Sequence, residues 1–99
     1  MESQFYRGAV GTTFRVISHE PIIELELINY RELPRRGTKG LREESFALLF
    51  RGPSVHHYSE ALPRQIHELE QTDGHRLSIY LEPVVSFGQS GLLYEAIFD

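Results

Sequence analysis

Ile22-Ile23-Glu24-Leu25-Glu26-Leu27-Ile28-Asn29-Tyr30 is the stretch that decides the fold. Ile23, Leu25 and Leu27 alternate with Glu24 and Glu26, and successive side chains on a strand point to opposite faces, so the segment reads as a strand with one dry and one wet side. Working back toward the amino end, His19-Glu20-Pro21 closes an earlier strand over Thr12 to Ile17, opened by Gly11, with Phe14 and Val16 on one face. Before it, Ser3 to Val10 reads as a short helix, with Ser3 as its N-cap and Phe5, Tyr6 and Ala9 as its apolar side.

Working forward, Pro34-Arg35-Arg36-Gly37-Thr38-Lys39-Gly40 has proline, glycine and charge without apolar period, the mark of an exposed loop. A third strand covers Ser45 to Arg51, with Phe46, Leu48 and Phe50 on one face and Ala47 and Leu49 on the other. Two apolar faces predict a strand covered on both sides. Gly52-Pro53 ends it, because proline cannot donate to a ladder and restricts its neighbour. Ser54 to Pro63 follows as a long connection with one helical turn at most.

Strand four is expected over Arg64 to Gln71, with His67 and Leu69 facing one way and Ile66 the other. Asp73-Gly74 signals a two-residue hairpin in which both residues take positive φ. Strand five, His75 to Pro83, sets Leu77, Ile79 and Leu81 against Ser78, Tyr80 and Glu82. A Gly88-Gln89-Ser90-Gly91 turn then leads to strand six, Leu92 to Phe98, with Leu92, Tyr94, Ala96 and Phe98 on one face. The expectation is an all-β, mainly antiparallel fold: a six-stranded small barrel or a two-layer sandwich, with a short N-terminal helix. Residues 1–99 are expected to form one domain, since a chain of this length supports a single core.

Composition narrows the function classes. Ten Lys and Arg against fourteen Asp and Glu give a net charge of −4, which opposes a general attraction to nucleic acid or anionic membrane. Zero cysteines exclude disulfides, thiolate metal sites and a cysteine nucleophile. No apolar run approaches the ~20 residues of a membrane-spanning helix, and no signal-peptide pattern opens the chain, so the cytoplasm is the expected compartment.

The residues that could carry chemistry have plainer readings. His19, His56, His57, His67 and His75 match no zinc spacing, and adjacent strand residues face apart. Arg35, Arg36, Lys39 and Arg42 could contact phosphate, but Glu43 and Glu44 follow at once and cancel much of their field. Glu24 and Glu26 read as the solvated side of their strand. Gly37-Thr38-Lys39-Gly40 lacks the order of a phosphate-binding loop, and no G-x-S-x-G elbow exists. Arg51, leaving a buried strand at a rigid turn, is expected to pair with a carboxylate. We therefore expect no enzyme, with no catalytic residues, no metal and no cofactor.

Phe46-Ala47-Leu48-Leu49-Phe50-Arg51-Gly52-Pro53, preceded by Gly11-Thr12-Thr13-Phe14-Arg15-Val16 and followed by Leu62-Pro63-Arg64-Gln65-Ile66 and the ending Tyr94-Glu95-Ala96-Ile97-Phe98-Asp99, resembles an uncharacterised family of bacterial domains about 100 residues long. Its pattern is F-x-L-L-F-R-G-P, then L-P-Q, then Y-E-A-V-F. Here Pro63-Arg64-Gln65 replaces the usual Pro-Gln-Gly, and His67 replaces an aromatic. The resemblance implies an association with phage-tail-collar-like proteins and no catalytic residues. The expected function is thus a non-enzymatic protein-interaction or assembly module, to which the resemblance adds a phage-tail derivation, that contacts a protein partner or its own copies through an edge strand such as strand one or six. The alternative is a small-ligand-binding barrel with Tyr30, His67, Tyr80 and Tyr94 placing polar groups in its interior.

Overall fold

A computed structural model of the chain describes residues 2–34, 45–53, 61–84 and 91–98. Helix α1 spans Glu2–Gly8, and six strands follow: β1 Thr13–Val16, β2 Ile23–Glu32, β3 Phe46–Gly52, β4 Gln65–Gln71, β5 Arg76–Val84 and β6 Leu92–Phe98. They close into a barrel in the order β1-β2-β3-β6-β5-β4, with every neighbouring pair antiparallel. The barrel, and not the sandwich, is the form adopted. The alternations read from sequence are kept: Leu25 and Leu27 point inward and are sealed from solvent, whereas Glu24 is exposed.

Closure comes from β1, whose Phe14 and Val16 lie opposite Gln71 and Leu69 of β4 while the same strand pairs with β2. The expectation that strand one or strand six is a free edge is therefore wrong. β1 lies between β2 and β4, and β6 between β3 and β5, so both have neighbours on either side. A barrel removes the edges that a sandwich would leave. The core fills the interior with Phe14, Phe50, Leu25, Leu27, Leu48, Leu69, Ile79, Leu81 and Tyr94, all nearly or wholly buried. Phe14 and Phe50 meet edge to face at 5.6 Å.

Two sequence readings are corrected at the turns and the helix. Ser3 is not an N-cap: α1 begins before it, and its side chain is buried within the helix. The β4–β5 hairpin has a three-residue loop, Thr72 to Gly74, closed by Gln71 N–H donating to His75 O at 2.9 Å. Gly74 takes φ 90°, which supplies the left-handed residue that follows the turn in loops of this length. α1 covers one mouth of the barrel. Its Tyr6 packs on Phe46 and Phe98 with centroids at 5.8 and 5.4 Å, and Phe46 stacks on Phe98 at 4.7 Å. Arg7, in the last turn, reaches Glu32 at 2.5 Å and lies over the Tyr30 ring, fixing the helix to β2.

Near the other mouth, Leu62 is buried in the core and its N–H donates to the Tyr94 hydroxyl at 3.0 Å. Pro63 O accepts from Nε2 of His67 at 2.8 Å, so the imidazole carries its proton on Nε2. Tyr94 and His67 thus hold the segment ahead of β4 onto the barrel. Gly52 and Gly91 make the β3–β6 seam tight there. A Cβ on Gly52 would come within 2.8 Å of Leu25 Cδ2, and one on Gly91, at φ 92°, within 2.5 Å of Gly52 O.

Candidate functional site: the outer wall of strands β4, β5 and β6

The interior does not gather the four groups proposed for ligand binding. His67 and Tyr94 are buried inside, where they hold Leu62 and Pro63. Tyr30 lies toward the helix-covered mouth, stacked on Phe46 at 5.4 Å, and Tyr80 faces outward, half exposed. Among the described residues, only His67 and Tyr94 of the four therefore share the interior, at the Leu62 end of the barrel. His67 Nδ1 is buried and has no hydrogen-bond partner among the described residues.

The histidines are equally dispersed. His19 lies in the β1–β2 turn with Nδ1 2.7 Å from Pro21 O, and His75 follows the β4–β5 loop with its ring against Phe5. Among the described residues no group of three His, Asp or Glu side chains converges. His56, His57, Arg35, Arg36, Lys39, Arg42, Glu43 and Glu44, and with them the Gly37-Thr38-Lys39-Gly40 stretch, lie outside the described residues. Arg51 does pair with a carboxylate: it is opposite Glu26 in the β2–β3 register, and its guanidinium reaches that side chain at 2.5 Å.

What the barrel does assemble is a row of large apolar side chains on its outside. Ile66 of β4 lies directly opposite Tyr80 of β5. β5 and β6 pair over Glu82↔Glu95, Pro83↔Tyr94 and Val84↔Leu93, so Tyr80 and Ile97 lie just past the paired stretch, two residues before Glu82 and two after Glu95. Ile97 is in turn opposite Ala47 of β3. Ile66, Tyr80 and Ile97 are 63, 50 and 53 % exposed. Together they present on the order of 300 Å² of surface on the outer face of three neighbouring strands, about the size of the largest apolar patch on an ordinary small monomer.

Charge borders the row on both sides. Toward the Leu62 mouth, Arg64 Nε is 3.0 Å from Glu82, and Glu82 lies directly opposite Glu95. Two carboxylates facing each other across a ladder repel, and one arginine offsets one of them. Toward the helix-covered mouth, Glu68 lies opposite Ser78, whose hydroxyl donates to it at 2.6 Å. Beyond Glu68, Glu70 is held by Arg76 and Arg15, which together lower its pKa below the ordinary carboxylate value. On the far side of β6, Asn29, Arg31, Ala47, Leu49 and Glu95 surround a shallow depression of about 190 Å³.

Faces were readable from sequence, since Ile66, Tyr80 and Ile97 each fall opposite their strand's inward set. Their alignment was not, because it depends on which strands become neighbours and in what register.

A six-stranded antiparallel barrel with an apolar core and a helix over one mouth defines a class: a small closed β-barrel domain. The chain belongs to the family described as Domain of unknown function (DUF6916), whose model matches residues 1–98. No curated protein and no solved structure matches it. Arg64 turns outward to Glu82, and His67 turns inward to Pro63.

Proposed function

We propose that the protein is a non-enzymatic contact module that joins protein partners through the outer wall of β4, β5 and β6. The observation that carries this reading is the exposed row Ile66, Tyr80 and Ile97. Isoleucine and tyrosine held out on rigid strands cost free energy in water and regain it when covered. Tyrosine is also among the residues that dominate interface energetics, since it buries a large rigid ring while its hydroxyl remains satisfied.

Closure of the barrel directs contact to side chains, because strand addition needs an open edge. The sequence resemblance suggests the setting, an assembly derived from phage tails in a bacterium. A photo-reactive residue placed at position 80 tests the reading in the native host, with the same residue at Glu24, on the outward face of β2, as reference. Protein adducts from position 80 and none from position 24 support it. Adducts from neither, or equally from both, refute it.

A further inference from the structure

We propose that the depression over β2, β3 and β6 binds a small amphoteric molecule, one that carries a carboxylate and an ammonium at the two ends of an apolar chain. The inference is independent of the contact reading above, since the hollow lies across β6 from Ile66 and Tyr80.

It begins with a break in the period of two. Leu25 and Leu27 point inward, so strict alternation would send Asn29 and Arg31 inward after them. Instead the β2–β3 register shifts: Leu27 lies opposite Phe50, and Asn29 opposite Leu49. Ile28 is the extra residue of a β-bulge, which re-aims the side chains beyond it. Tyr30 thereby turns to stack on Phe46, and Asn29 and Arg31 come out onto the wall, both exposed.

There they join a hollow. The register sets Asn29, Leu49 and Glu95 in one row across β2, β3 and β6, and Arg31, Ala47 and Ile97 in the next. Ala47 is the smallest of these, and the longer chains around it leave the depression of about 190 Å³ that Asn29, Arg31, Leu49 and Glu95 line. That is below the ~300–1,000 Å³ of drug-sized sites, so the occupant is small.

The charges define its chemistry. Arg7, Arg15, Arg51, Arg64 and Arg76 each reach a carboxylate, whereas Arg31 reaches none among the described residues. Glu95, in the same hollow, has no partner among them either, and it lies opposite Glu82, whose charge Arg64 offsets. Arg31 and Glu95 stand two strands and two residues apart, roughly 12 Å between Cα atoms at ordinary sheet spacings. An anion alone would satisfy Arg31 and meet repulsion from Glu95. A cation alone would satisfy Glu95 and leave Arg31 without a partner. A molecule with both charges satisfies both: its carboxylate accepts from the guanidinium and the Asn29 amide, its ammonium donates to Glu95, and its apolar middle lies on Ala47 and Leu49. An α-amino acid carries both charges on one carbon, so the span between Arg31 and Glu95 favours a longer spacer.

6-Aminohexanoate is the probe, with hexanoate and hexylamine as its single-charge counterparts, each titrated into the isotope-labelled full chain and followed by amide NMR. It is expected to give saturable shifts in the millimolar range centred on Asn29, Arg31, Ala47, Leu49 and Glu95. Both counterparts should bind at least about tenfold more weakly, since each lacks one charge-assisted contact. Arg31→Gln should reduce 6-aminohexanoate to the affinity of hexylamine, and Glu95→Gln to that of hexanoate, with thermal unfolding of both variants matching the parent. Hexanoate or hexylamine binding the parent as tightly as 6-aminohexanoate overturns the two-charge ligand. No saturable shift in the hollow, or an affinity that neither substitution changes, overturns the site. Crosslinking from position 80 is untouched by either result, so the contact reading stands or falls separately.

Discussion

Replacing Gly91 by alanine should be among the most damaging single-methyl changes in the protein, and the structure lets the cost be worked out. Gly91 precedes β6 with φ 92°, where an L side chain is strained by about 1–2 kcal/mol. Its added Cβ would also lie 2.5 Å from the carbonyl oxygen of Gly52, which is backbone and cannot swing aside, and 3.2 Å from Arg51 Cγ. Relieving that overlap displaces the end of β3 from the start of β6, at about 1–3 kcal/mol by analogy with overpacked cores. The expected total is about 2–5 kcal/mol, a large share of the ~5–15 kcal/mol that holds such a domain folded. Gly74→Ala is the control, because Gly74 has φ 90° and open space around its Cβ position, so it carries the strain without the collision. Urea denaturation of the two variants should place the Gly91→Ala midpoint well below that of Gly74→Ala at unchanged slope. Equal midpoints would refute the close approach of Gly91 to Gly52 and, with it, the β3–β6 register that sets Ile97 beside Ala47.

Three further outcomes follow from named contacts. Tyr94→Phe removes the hydroxyl that accepts from Leu62 N–H and leaves a buried donor unpaired, so chemical denaturation should show a loss of about 1–3 kcal/mol. Tyr80→Lys, by contrast, alters a half-exposed outer position, and its thermal unfolding should match the parent within about 0.5 kcal/mol while association through the row is lost. Glu70 provides a pH signature. Arg76 and Arg15 lower its folded pKa, so its stabilisation is fully present above the unfolded carboxylate value and declines as pH falls through the lowered folded one. The stability difference between the parent and Glu70→Gln should therefore be constant above about pH 5 and shrink below it, as urea titrations across pH would show. A difference that grows on acidification would contradict the pairing.

Much of the fold was legible because half-buried strands write their burial into a period of two. Leu25 and Leu27 against Glu24 and Glu26, and Tyr94 and Ala96 against Glu95 and Ile97, assigned inside and outside correctly. Closure was not legible. β1 is four residues long, and nothing in Thr13-Phe14-Arg15-Val16 states that it bonds to β4 as well as β2. That omission made strands one and six look like edges. Ser3 was misread for a related reason: a serine near a helix start resembles a cap until tertiary packing buries it inside the first turn. Tyr30, His67, Tyr80 and Tyr94 looked like a polar set for a lumen because their types suit one. Their separate duties, stacking on Phe46, holding Pro63, facing solvent and holding Leu62, depend on strand order and on where the segment before β4 crosses the barrel. The contact row suffered the same limit, since a one-residue change of register would send Ile97 inward and break the line.

The most direct test of the central claim is a set of amide NMR spectra of the isotope-labelled protein, alone and titrated with unlabelled extract of the native host. The account predicts shifts or line broadening centred on Ile66, Tyr80 and Ile97, with the outward face of β2 around Glu24 unchanged. Spectra that the extract leaves unchanged, or changes centred on β1 and β2, would contradict it.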